Sequence, residues 1–153
     1  MMSLIGGDKV KAAMQALKMK SNDNIRGVYL SGLKNIAQAT PADKGRARNN
    51  WFLSVGKASS KTRAEGDKVG SGSLASLLKM PRIILGKTLY YTNNLPYIKL
   101  LEYGGYPKNV KRGTYIKKQK EYQILSRNGF SLQKPKGWVR STLTKMRAKI
   151  KKL

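Results

Sequence analysis

Ala39-Thr-Pro-Ala-Asp-Lys-Gly-Arg-Ala-Arg-Asn-Asn-Trp51 is the stretch on which the reading of this chain turns. Pro41 has no amide hydrogen to give to a helical ladder and pushes the residue before it out of helical geometry, so a helix arriving from upstream must stop at Thr40. Gly45 permits a backbone turn that a side chain would hinder. Trp51 then supplies a large apolar body to anchor whatever follows. Arg46 and Arg48 project from this turn, and a planar guanidinium fork pairs bidentately with carboxylate or phosphate. Two roles stay open for them at this point: bracing the turn through Asp43 or a carbonyl, or meeting another subunit.

Upstream of the turn the apolar spacing predicts two helices. Val10, Ala13, Met14 and Leu17 recur every three to four residues over 8–19. Ser21-Asn22-Asp23 offers capping side chains, after which Ile25, Val28, Tyr29, Leu33 and Ile36 repeat the pattern up to the proline. Gly27 and Gly32 each cost such a helix roughly 1 kcal/mol relative to Ala, so they are expected to mark close packing against a neighbour.

Downstream, residues 51–55 read as a short strand, and 56–73, rich in Gly, Ser and Lys without periodicity, as a mobile loop. Leu74, Leu77 and Leu78 fit one helical turn before Pro81. Residues 83–92 carry the β-branched and aromatic side chains of a strand. Leu95-Pro96 opens a short helical segment that Gly104-Gly105 closes. Between 106 and 130, Lys108, Lys111, Arg112, Lys117, Lys118 and Lys120 are interleaved with Tyr115, Ile116, Tyr122, Ile124 and Leu125, the pattern of an extended hairpin or arm. Over 138–153, Val139, Leu143, Met146, Ile150 and Leu153 form an apolar stripe opposite Arg140, Lys145, Arg147, Lys149 and Lys151. With no internal repeat and no second core, the expectation is one α+β domain over 1–153. Its N-terminal helices and C-terminal helix should pack on a small, mostly antiparallel sheet, with a long basic arm.

The composition narrows the chemistry. Apolar residues at 40% and charged residues at 25% are ordinary for a folded domain, but 32 Lys plus Arg against 7 Asp plus Glu leave a net charge of +25. Such self-repulsion calls for an anionic counterpart: nucleic acid, an acidic protein surface or an anionic membrane. The chain has no Cys and no His, hence no disulfide, thiol nucleophile or imidazole base and none of the usual zinc ligands. The carboxylates are scattered, so Asp43 and Glu102 read as ion-pair partners of nearby cations rather than as general bases. Neither Gly70-Ser-Gly72 nor Gly104-Gly105 has the spacing or the lysine of a phosphate loop. No enzyme activity and no cofactor are expected. Leu4-Ile5 runs at once into Gly6-Gly7-Asp8-Lys9, too short for a secretory core, and no apolar run reaches membrane length; a cytoplasmic protein, or one in a particle assembled there, is expected.

Two later segments echo the first: Asn93-Asn-Leu-Pro-Tyr-Ile-Lys-Leu-Leu-Glu-Tyr-Gly104 and Asn128-Gly-Phe-Ser-Leu-Gln-Lys-Pro-Lys-Gly-Trp-Val139. In order, the three resemble the pattern of phage tail-completion proteins, the neck family that joins head to tail. Thr40, Pro41, Asp43, Gly45, Arg46, Ala47, Arg48, Asn50 and Trp51 carry the first block. Asn94, Pro96, Tyr97, Glu102, Tyr103 and Gly104 carry the second, and Phe130, Ser131, Gln133, Pro135, Gly137 and Val139 the third. Lys44, Lys134 and Lys136 depart from the small or apolar residues of that pattern.

The resemblance implies a non-enzymatic virion protein that closes into a ring at the neck or the top of the tail, with six copies expected and twelve the alternative. Its partners would be itself, neighbouring connector and tail-tube proteins and possible phage DNA in the channel, with no membrane. Lys44, Arg46, Arg48, Tyr97, Glu102, Tyr103 and Gln133 would meet neighbouring subunits, Trp51 and Trp138 would anchor the fold, and the 56–73 loop and 106–130 arm would reach adjacent copies. The competing class is a nucleic-acid-binding module. There Lys111, Arg112, Lys117, Lys118, Lys120, Lys145, Arg147 and Lys149 would neutralise phosphates, while Tyr115, Tyr122, Phe130 and Trp138 stack on bases or anchor the arm.

Overall fold

The computed structural model describes residues 7–132 and 137–153. The Gln133 position, with Lys134 and Pro135, lies outside the described residues. A single helix, α1 (Gly7–Ala39), runs through both of the stretches expected as separate helices, so the expected break at residues 21–23 does not occur. The reason is tertiary. Asn22 is buried inside the helix, where its Nδ2 donates to the Arg82 carbonyl at 2.8 Å and its Oδ1 accepts from the amides of Ile84 at 2.8 Å and Leu85 at 3.3 Å. A side chain spent on an irregular segment sixty residues away does not cap its own backbone. One turn on, Arg26 Nε donates to the Pro81 carbonyl at 3.0 Å, and α1 thereby holds residues 80–85 along its flank.

The helix stops where the proline requires. Thr40 Oγ1 donates back to the Ile36 carbonyl at 2.7 Å and accepts from Trp51 Nε1 at 2.8 Å, which draws the turn shut. A 3-10 turn (Arg48–Asn50) leads into β1 (Phe52–Val55), and α2 (Ser71–Leu77) follows the long connection. Then come β2 (Leu89–Thr92), α3 (Ile98–Tyr103), β3 (Thr114–Ile116), β4 (Glu121–Gln123), β5 (Ser126–Arg127), β6 (Phe130–Ser131) and α4 (Trp138–Ile150). β2 is shorter than the strand expected over 83–92, because Ile84 turns into the core and Asn22 takes its amide.

The α+β class stands, with all described strand pairing antiparallel, but the strands form three separate two-stranded ribbons. β1 pairs with β2 in the register Leu53↔Tyr91, β3 with β4 as Tyr115↔Tyr122, and β5 with β6 as Arg127↔Phe130. A ribbon alone buries too little to stand by itself, so helices supply the core. Leu33, Ile36 and Ala37 of α1 meet Trp51, Leu53, Leu77, Met80, Ile84 and Met146 of α4. Trp51 stacks on Tyr91 with centroids 5.0 Å apart, and burial pushes the Tyr91 hydroxyl pKa upward, an effect partly opposed by the Arg63 guanidinium. Gly32 lies where α4 crosses α1: a Cβ there would sit 2.2 Å from Met146 Sδ. Close packing explains this glycine. It does not explain Gly27, which has open space around it.

Candidate functional site

The arginine turn is rigid because the connection expected to be mobile is fastened onto it. Asn50 is buried; its Nδ2 donates to the carbonyls of Arg46 at 2.8 Å and Arg63 at 3.0 Å, and its Oδ1 accepts from the Arg63 amide at 2.6 Å. Arg63 reaches back, donating from Nη1 to the Asn49 carbonyl and from Nη2 to Gly72 at 3.0 Å, with its guanidinium 4.0 Å over the Phe52 ring. Asn94 Nδ2 donates to the carbonyls of Ser59 at 2.8 Å and Lys61 at 2.9 Å from the other side. Asp67 receives the amides of Val69 and Ser71 ahead of α2, and hydrogen bonds from Ser71 side chain and backbone and then Val69 lower its pKa to about 2. Residues 56–73 are therefore a clamp, with 71–73 already helical, and not the free loop that their composition suggests. Gly45 closes the arrangement: at φ +79°, a Cβ would lie 2.2 Å from the Asp67 carbonyl carbon.

This separates the two arginines. Arg48 is half-buried and braces the turn, donating from Nε to the Thr40 carbonyl at 3.1 Å and from Nη1 to that of Lys68. Of the two roles left open for it, these bonds supply the bracing one. Arg46 is exposed and, among the described residues, its guanidinium makes a single 3.4 Å bond, to the Arg63 carbonyl; Lys44 beside it is exposed too. Both line a cleft of about 440 Å³ between the turn, the start of α3 and the base of the arm, whose other walls include Tyr97, Leu101, Tyr106 and Val110. Thus Lys44, Arg46 and Tyr97 are brought together at one cleft.

Glu102 behaves differently. It is 5% exposed, and its carboxylate accepts from the amides of Val139 and Arg140, both at 3.1 Å, and from Arg140 Nε at 3.2 Å. Its carbonyl accepts from the Gly137 amide at 3.1 Å. An anionic acceptor at the start of α4 satisfies amides that have no partner within the helix and complements the helix dipole. Within the subunit Glu102 is therefore an internal cap. Tyr103, next to it, is exposed and carries the Arg140 guanidinium 4.5 Å over its ring. Gly104, at φ +81°, lets the chain leave α3 where a Cβ would strike the Phe130 ring at 2.7 Å, and the Gly105 amide donates to the Gly129 carbonyl at 2.9 Å.

Of the aromatics considered for base stacking, Trp138 is buried and Phe130 packs at Gly104, so both serve the fold. Tyr115 and Tyr122 remain exposed on the arm with Lys111, Arg112, Lys117, Lys118 and Lys120. Lys145, Arg147 and Lys149 are exposed on α4, where Lys145 and Lys149 edge a groove of about 590 Å³ against α1. The residues that build this frame and that the sequence does not announce are Asn22, Asn49, Asn50 and Arg63, polar side chains that bond backbone groups 12 to 63 residues away. Adjacent asparagines beside a Pro-Gly turn are the one local hint.

Among the described residues no cluster of His, Cys, Asp or Glu is able to hold a metal ion, and no helix is long and apolar enough to cross a membrane. Comparison with protein-family models, with curated proteins and with solved structures finds no match to this chain.

Proposed function

We propose that this chain is a structural subunit of a phage particle, closing with copies of itself into a ring at the neck or the top of the tail and joining the head connector to the tail. The observation that supports this reading best is that the three resembling blocks, far apart in the chain, form one continuous frame. Asn93 Nδ2 donates to the Ala47 carbonyl at 2.9 Å, linking the first block to the second. Glu102 caps α4 and Gly105 bonds Gly129, linking the second to the third. The motif residues are thus mutually dependent, as a fold-defining pattern requires, and Arg46, Tyr97 and Tyr103 among them, with Lys44 beside Arg46, are offered outward by that frame.

A ring follows when one face of a subunit meets a different face of the next and the rotation closes. Two elements extend far enough to do this. One is the first part of α1, where Val10, Met14 and Leu17 are 60%, 57% and 69% exposed; the other is the arm over 106–130. Six copies are expected, twelve being the alternative, and the protein acts by shape and cationic contact, without catalysis or a cofactor. The test is electron microscopy of virions with this chain labelled, together with light scattering of the purified protein alone and with connector protein. Density for a closed ring at the head–tail junction is the expected result. Mature virions without a copy of this chain overturn the proposal.

A further inference from the structure

Among the described residues the β3–β4 hairpin packs chiefly on itself, strand against strand. Tyr115 and Tyr122 face each other across it with rings 5.2 Å apart, yet they are 47% and 53% exposed. Arg112 lies with its guanidinium 5.0 Å over the Tyr122 ring. The connection between the strands carries Lys117, Lys118 and Lys120, all exposed, with Lys120 at φ 53°. Glu121 is the sole carboxylate over 106–130, and Gln123 Nε2 donates to it at 2.7 Å.

We propose that this hairpin is a sequence-independent contact to the sugar-phosphate backbone of duplex DNA. The argument rests on the hairpin's own geometry and is independent of ring formation. The contact with the Tyr122 ring restrains the Arg112 guanidinium on the hairpin surface, and a guanidinium fork can pair with two phosphate oxygens. The three lysines at the tip add point charges that displace condensed counterions, and the tyrosine hydroxyls are donors of the kind that hold a protein in register on phosphates. A two-stranded ribbon is also narrow enough for the major groove, about 12 Å wide. Duplex is favoured over single strand because the tyrosine rings are tilted 57° against each other and Arg112 lies over Tyr122, so the pair does not present the parallel platforms on which successive bases stack.

Fluorescence anisotropy of the full chain tests this, using a short mixed-sequence duplex, a single strand of the same length and polyglutamate across a salt series. Three forms are compared: wild type, the arm variant K117Q/K118Q/K120Q and the tail variant K145Q/R147Q/K149Q, each checked for wild-type circular dichroism. Wild type should bind duplex regardless of its sequence. The arm variant should lose about tenfold or more in affinity at about 100 mM salt, and its slope of log affinity against log salt should flatten by about 2 to 3, near 0.9 per phosphate contact removed. The tail variant should change less than the arm variant. An unchanged slope in the arm variant, a larger loss in the tail variant, preference for the single strand, or tighter binding of polyglutamate than of duplex each overturns the proposal. Light scattering on the same variants reads ring formation separately, so loss of DNA binding with intact rings, or the reverse, tells the two proposals apart.

Discussion

Replacing Glu102 with Ala removes the acceptor of two backbone amides and one guanidinium N–H at the start of α4. Loss of a capping side chain costs about 0.5–2 kcal/mol. Because Glu102 is 5% exposed and the bonds are charge-assisted, the upper part of that range applies, with a further contribution from amides left poorly hydrated. The Arg140 pair adds little, since the Arg140 side chain is 54% exposed and an exposed pair is worth about 0–1 kcal/mol. The expected total is about 2–3 kcal/mol, which for a chain of this length lowers the melting midpoint by about 4–12 °C. Glu102→Gln, which retains one acceptor oxygen, should cost about half as much. Arg140→Ala, which keeps the cap, should stay below about 1 kcal/mol. Urea and thermal unfolding followed by circular dichroism measure all three. If Arg140→Ala proves as damaging as Glu102→Ala, the carboxylate is working as an ion-pair partner and the capping argument fails.

Trp51→Ala empties a site that is 6% exposed and removes the indole donor from the Thr40 hydroxyl; a loss of about 3–5 kcal/mol in urea unfolding is expected, and a loss under about 1 kcal/mol would contradict its anchoring role. Arg48→Ala frees the Thr40 and Lys68 carbonyls and should cost about 1–2 kcal/mol, whereas Arg46→Ala should leave unfolding unchanged and reduce incorporation into particles. Equal stability of the two variants would refute the division between them. Asp67 titrates at about 2 in the folded chain against an ordinary 3.8, so its contribution is complete above the ordinary value and disappears as pH falls towards 2. Asp67→Asn should therefore flatten the dependence of melting midpoint on pH across that acid window, and an unaltered profile would show that Asp67 is not the group responsible.

The legibility of the chain varied with the range of the interaction. The helix stop at Thr40-Pro41, the strand after Trp51, the turn at Gly104 and the basic stripe of α4 all appear where local rules put them. Close packing at Gly32 is also readable, because a glycine in an otherwise regular helix is costly unless something needs the space. The break expected at Ser21-Asn22-Asp23 failed for the converse reason: a capping side chain is recognised by type, and Asn22 found better partners in residues 82–85. Residues 56–73 have the composition of a mobile segment, but Arg63 and the two asparagines of the turn convert that composition into a clamp. Of the surface residues expected, Lys44, Arg46 and Tyr97 share a cleft, while Arg48 and Glu102 are consumed by internal bonds.

Backbone stops, periodic faces and net charge belong to the sequence alone, since proline chemistry, residue spacing and formal charge do not depend on what lies elsewhere in the chain. Which polar side chains were available to a partner was decided only in three dimensions. Asn22, Arg63 and Glu102 meet their partners across 62, 14 and 38 residues respectively. A hydrogen bond of that span has no period and no motif, and it exists only after the core has brought its two ends together.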